Sequence, residues 1–176
     1  MALFTGQLIR LGALLPEHFE ELQMWEDDPD LQRQLDSEPI RPWTPVRRED
    51  LYRNFQKDTR FPFAIFTLAD DRLIGQCVLY RQDVRNRFGR IGIVIGAPRN
   101  RGRGYGTDAL RILVNYGFKE LNLHRLEIEV FAFNKEAIRT YEKVGFKCEV
   151  TKRQALYRDG VYNDVLVMGI LRQELA

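Results

Sequence analysis

The chain has 176 residues, 44% of them hydrophobic and 30% charged, the balance of an ordinary globular protein rather than a disordered or fibrous one. That length suits one domain, residues 1–176, around one core, because two domains would each have to manage with a small one. A formal net charge of +2 leaves no excess of cations for a polyanion, so direct nucleic-acid binding is not implied and any anion site must be local.

Gln7 to Leu11 alternates as a short strand does, and from Leu14-Leu15-Pro16 a helical pattern begins, with Phe19, Leu22 and Trp25 at helical spacing. A second short helix is predicted over Asp30 to Ser37. Prolines then break the chain from Pro39 to Pro45, and Thr44-Pro45 reads as an N-cap and first helical residue opening a helix to about Gln56. Three strands follow, FPFAIFTLA from Phe61, LIGQCVLY from Leu73 and RFGRIGIVIG from Arg87, joined by turns into an antiparallel meander. Next come a helix from Gly104 to about Leu121, a strand over Arg125 to Phe131, and a helix from Asn134 to Lys143 with Gly145 as its C-terminal cap. Lys147 to Tyr157 and Val161 to Ile170 form a closing hairpin around Arg158-Asp159-Gly160. The expected fold is α/β (α+β mixed): a mixed central sheet of about seven strands with helices on both faces.

No stretch approaches the roughly 18 to 20 apolar residues that cross a bilayer, and the opening MALFTGQLIRLG lacks the basic flank and apolar run of a signal peptide. Cys77 and Cys148 have no CxxC spacing and sit in apolar runs, so both read as small buried core residues of a reducing cytoplasm, with no metal site.

Arg99 to Thr107, RNRGRGYGT, follows a strand and opens a helix. Its alternating glycines leave backbone N–H groups free to turn toward one anion, the helix start adds partial positive charge, and Arg101 and Arg103 add full ones. A diphosphate site follows. A Walker loop is excluded, since no lysine separates Gly106 from Thr107. A dinucleotide fingerprint needs G-x-G-x-x-G directly after its strand; here the glycines run G-x-G-x-G, although Glu127 and Glu129 do lie about twenty residues downstream. The antiparallel strands before the loop argue against a nicotinamide-dependent enzyme, which stays as a runner-up.

Arg101, Gly104 and Gly106 match Arg/Gln-x-x-Gly-x-Gly/Ala, and this segment resembles the acetyl-CoA pyrophosphate loop of the GNAT superfamily. The stretch Leu121 to Phe146 is similar to that superfamily's second signature, through Asn134, Ala137, Tyr141, Gly145 and Phe146. The closing hairpin resembles the branch that includes ribosomal-protein N-terminal acetyltransferases. The resemblance implies an acetyl-CoA-dependent N-acetyltransferase acting by direct transfer to a primary amine on a protein N-terminus, a polyamine or a small molecule, with no metal. It also implies that Arg101, Gly102, Arg103, Gly104, Tyr105, Gly106 and Thr107 hold the diphosphate, that main-chain groups of Val94, Ile95 and Gly96 meet the pantetheine arm with Asn134 and Ala137, and that Tyr141 faces the sulfur as general acid.

Glu129 matches a glutamate that serves as general base in some relatives. Glu127 shares its strand face, and water is the alternative base for either. Read from the residues alone, Tyr141 is a core tyrosine and Asn134 an N-cap. Arg81, Arg85, Arg87 and Arg90 read as a solvated hairpin tip or as a guide for an acidic or RNA-bound acceptor. Trp25, Trp43 and Pro39-Ile40-Arg41-Pro42 are candidates for the amine pocket, although Trp25, at helical spacing, reads first as a core residue. A GNAT domain that binds acyl-CoA as a sensor or interaction module is the competing function, and dimers are common among such proteins.

Overall fold

The computed structural model describes residues 3–55, 57 and 59–175. Seven strands form one sheet in the order β1-β2-β3-β4-β5-β7-β6. They are β1 (Ile9–Ala13), β2 (Arg60–Thr67), β3 (Leu73–Asp83), β4 (Phe88–Ile95), β5 (Arg125–Phe131), β6 (Lys147–Arg158) and β7 (Val161–Leu171). Every neighbouring pair is antiparallel except β4 and β5, so the meander and the closing hairpin meet along one parallel seam. This is the mixed sheet the sequence predicts.

Three helices precede β2: α1 (Phe19–Glu26), α2 (Pro29–Leu35) and α3 (Pro45–Phe55). The predicted end of α3 at Gln56 lies outside the described residues. Its start is capped as expected, Arg47 N–H donating to Thr44 Oγ1 at 3.2 Å. A 3-10 turn over Pro16–His18 precedes α1, so Pro16 sits in a tighter turn and regular α-helix begins only at Phe19. Phe19 and Leu22 join Leu14, Phe55, Ala64 and Leu73 in a cluster on one face of the sheet, with Trp25, Phe66 and Val78 against it.

The other face carries the larger core, built from Ile65, Cys77, Leu79, Ile91, Leu126, Ile128 and Met168 under α4 (Tyr105–Lys119) and α5 (Lys135–Val144). Ala109, Leu110, Leu113 and Val114 of α4 face inward at helical spacing. The carboxylate of Asp108, in the first turn of α4, accepts from the N–H groups of Leu8 at 2.7 Å and Ile9 at 3.1 Å. Those charge-assisted bonds satisfy a buried acid and tie the entry into β1 to the helix start.

Gly145 ends α5 at φ 113°, the left-handed cap expected of it, and Asp159-Gly160 turn the last hairpin with φ of 53° and 78°. One expectation fails here and another holds in part. Cys148 is exposed rather than buried, because β6 is an edge strand whose residues are exposed from Lys147 to Ala155. Of the four arginines read as a solvated tip, Arg81, Arg85 and Arg87 are exposed as expected, and Arg90 is half-buried. Arg87 donates to Asn122 at its carbonyl (2.7 Å) and its side-chain oxygen (2.8 Å), and Arg90 points along the sheet toward Glu127 and Glu129. Among the described residues no helix is long and apolar enough to cross a membrane.

Candidate active site

The seam between β4 and β5 makes the site. The two strands pair only from Phe88–Arg90 to Arg125–Glu127 and then part. Strand residues direct their main-chain groups alternately to the two neighbouring strands. Gly96 N–H donates to the Ile74 carbonyl at 2.9 Å, which fixes the alternation within the unbroken β3–β4 register: Gly92, Val94 and Gly96 face β3, while Ile91, Ile93 and Ile95 face the parted seam. Of the three strand residues expected to offer main-chain groups, Ile95 alone points into the gap. Ile93, which sequence reading did not single out, joins it.

A cleft of about 630 Å³ opens there, within the range of small-ligand sites. On the helical side it is lined by Arg101, Gly102, Gly104, Tyr105, Gly106 and Thr107 and by Asn134, Ala137 and Tyr141 of the following signature. Two sequence motifs far apart in the chain therefore share one wall. Gly102 and Gly104 hold φ of 71° and 86°, a region costly for any side chain, and Gly104 is the N-cap of α4. A Cβ on Gly106 would meet nothing closer than 3.7 Å. Glycine there leaves room for close approach rather than serving the fold. The first N–H groups of α4 have no intrahelical partner and lie at the positive end of the helix dipole.

The arginines of the loop divide. Arg101 turns back on the chain, Nη2 donating to the Gly96 carbonyl at 2.6 Å and Nε to that of Ile95 at 3.2 Å. Its guanidinium is thus a brace for the end of β4, a role that competes with the phosphate contact expected of it. Arg103 is exposed and lies off the cleft wall, as does Gly96, which is packed beneath the ring of Trp25. Arg139 and Lys143 supply cations that sequence reading passed over. Their signal was present as the polar row Glu136, Arg139, Thr140, Lys143 along one face of α5.

Tyr141 is only 7% exposed, and burial pushes its phenol up to about 12, so it holds its proton throughout the neutral range. Asn134 caps α5 with its side-chain oxygen, which accepts from Ala137 N–H at 3.1 Å; the amide NH2 is a separate pair of donors. Both readings of this asparagine are compatible in one geometry.

On the opposite face of the sheet, Glu129 borders the cleft and Glu127 does not. Glu129 pairs with Lys152 at 2.7 Å and Arg90 at 3.4 Å, and Glu127 with Arg125 at 2.8 Å and Arg90 at 3.5 Å. The wall facing Glu129 comes from Leu31, Gln34, Leu35, Asp36 and Ser37, at and after α2. The turn of the closing hairpin clamps that wall: Arg158 donates to the carbonyls of Arg33 and, at 2.8 Å, Asp36, and Asp159 pairs with Arg33.

Trp25 and Trp43 lie off the cleft. Trp25 packs with the front core cluster, and Trp43 donates to the Glu26 carbonyl at 3.2 Å beneath the Arg47 guanidinium. The dinucleotide alternative is set aside, since the sheet holds a single parallel pair instead of a doubly wound array.

The acetyltransferase (GNAT) domain family matches residues 9–147. A probable N-acetyltransferase of Bacillus subtilis, YjcK, is 37% identical over 131 residues, 73% of this chain and 71% of its own. A spermidine N(1)-acetyltransferase of Vibrio cholerae is 29% identical over 126 residues, 72% of each chain. Among solved structures, a spermidine N-acetyltransferase from Vibrio cholerae in complex with CoA and spermine superposes with a TM-score of 0.84 at 24% identity, covering 94% of this chain and 96% of that one. With that family matched across the strands and helices that build the cleft, the chain belongs to the GNAT acetyltransferases, enzymes that transfer an acetyl group to an amine.

Proposed function

We propose that the protein, as one catalytic domain, transfers acetyl directly from acetyl-CoA to a primary amine while both are bound. The observation that carries this reading is the parted seam. It brings the Ile93 and Ile95 main-chain edge between a buried, protonated Tyr141 on one face and a polar wall with Glu129 on the other.

The cradle fits the cofactor. Left-handed Gly102 and Gly104, the open position at Gly106 and the α4 start suit a diphosphate, and the β4 edge suits a peptide-like arm beside Asn134 and Ala137. Acetyl-CoA supplies the activated acyl group. The N–H of Ile95, on the strand edge facing the parted seam, donates in this reading to the thioester carbonyl and stabilises charge developing on its oxygen. As the new C–N bond forms and the C–S bond breaks, Tyr141 gives its phenolic proton to the departing sulfur. The amine's surplus proton leaves by water or by Glu129, whose ion pairs with Lys152 and Arg90 hold it at the rim as an acceptor. Positioning supplies much of the rate, and no protein nucleophile is required: Cys77 is buried in the core and its thiol is pushed far up by that burial.

Spermidine is the acceptor named for relatives from Vibrio cholerae and Escherichia coli, which makes polyamines one acceptor class to test beside protein N-termini and small-molecule amines. We infer a cytoplasmic enzyme. The direct test is thiol release from acetyl-CoA with spermidine, N-terminal peptides and aminoglycosides. Release that depends on one amine class is expected; stabilisation by acetyl-CoA with no release for any amine would favour a sensor instead.

A further inference from the structure

Gln76 lies in the middle of β3, between Ala64 on β2 and Val94 on β4. It is 8% exposed, and its side-chain oxygen is buried with no hydrogen-bond partner although the residue lines the cleft. An unpartnered amide oxygen is a cost the fold carries, and an apolar side chain of the same size would suit the neighbouring Ala64 and Val78 better. What the oxygen lacks is an N–H donor.

Two donors are available to such a cleft, an amide of the pantetheine arm and the acceptor amine. The cofactor wall, with Asn134, Ala137 and Tyr141, belongs to the α4–α5 face of the sheet. Gln76 alternates with Cys77 and so lies on the other face, that of α1–α3, where Val78 packs with the front cluster and where Glu129 and the α2 wall stand. It is also one strand removed from the Ile93–Ile95 edge.

We propose that Gln76 is an acceptor-positioning residue, its side-chain amide turning about its last torsion to bring the enclosed oxygen to the cleft, where it takes a hydrogen bond from the incoming amine; this rests on the acetyl-transfer reading above. A neutral primary amine has two N–H bonds and one lone pair. Anchoring one N–H at Gln76 aims the lone pair at the thioester carbonyl and leaves the other N–H as the proton to be lost. A secondary amine has only one N–H and cannot do both. The arrangement therefore selects primary amines.

The test compares the full-length wild type with Gln76→Leu and Gln76→Met, using spermidine and a short peptide with N-terminal alanine as acceptors, together with the N-methyl derivative of whichever is turned over. The expected result is an amine KM raised at least about tenfold, the energy of one hydrogen bond, with the Kd for CoA within about twofold and the preference for the primary amine over its N-methyl form reduced. The Tm of the free protein should stay the same or rise, because an unpartnered polar group has been removed. A lowered Tm in both variants with unchanged amine KM would show a purely structural residue. A weakened CoA Kd would assign the oxygen to the pantetheine arm, and either result overturns the proposal. Wild-type protein that binds CoA but acetylates neither probe, nor any aminoglycoside or other small-molecule amine, overturns the acetyl-transfer reading and this one with it. Active wild type with indistinguishable variants overturns this one alone.

Discussion

The guanidinium of Arg101 is bonded to the carbonyl of Gly96 at 2.6 Å, so the first residue of the glycine-rich motif holds the last turn of the strand before it. Removing this brace with Arg101→Leu loses two hydrogen bonds from a charged donor, each of the kind that contributes about 1.5–3 kcal/mol. The variant should melt several degrees lower and bind CoA about tenfold more weakly. Arg103→Leu, at an exposed position, should leave the Tm unchanged and cost only a salt-screened part of CoA affinity. Calorimetric Tm and CoA titration at two ionic strengths separate the two arginines. Equal loss of stability in both would refute the brace.

Tyr141→Phe should reduce kcat by about 10²-fold while the Kd for CoA changes little, as expected for loss of a general acid. With the phenol at about 12, no descending limb of the pH–rate profile below pH 10 belongs to this residue. The linkage has a sign. A folded value raised above the ordinary tyrosine value of 10 means that between about pH 10 and 12 the unfolded chain releases a proton the native state keeps. Stability is therefore unaffected below pH 10 and falls as pH rises through that window, and Tyr141→Phe removes this share of the fall. Alkaline melting curves of the two proteins that fall in parallel would contradict the assignment.

A Cβ on Gly96 would lie 1.9 Å from a ring atom of Trp25. Gly96→Ala should destabilise the protein by about 1–3 kcal/mol through overpacking. Because the obstacle is one side chain, Trp25→Leu in the same protein should recover most of that loss, a coupling measured by a double-mutant cycle in urea. Additive effects would mean that the two residues do not meet.

Much of this architecture is legible in the residues. Alternation marks the strands, Gly145 and Asp159-Gly160 mark turns, and Arg101, Gly104, Asn134 and Tyr141 mark the helical wall of the cleft. Local pattern does not reveal where a sheet stops pairing. Nothing in RIGIVIG or RLEIEVF says that hydrogen bonding between β4 and β5 ends after Arg90, nor, therefore, that Ile93 rather than Val94 faces the gap. The inward-facing polar Gln76 interrupts an apolar strand and could have been noticed on that ground. Arg101 shows a different limit: composition places a cation beside an anion cradle, but only the packed chain shows that its hydrogen bonds go to two carbonyls. Cys148 was misjudged because apolar neighbours on β6 suggest burial, whereas strand order leaves them at an edge.

That edge position has a practical side. Cys77 is enclosed in the core with its thiol held protonated, and Cys148 is open to solvent. Ellman titration should count one thiol per native chain and two in guanidinium, a background to subtract from any thiol-release assay. It also means that the unaltered protein carries one addressable attachment point, on the outer strand of the sheet. A maleimide dye or a surface linker can be joined there without a single substitution.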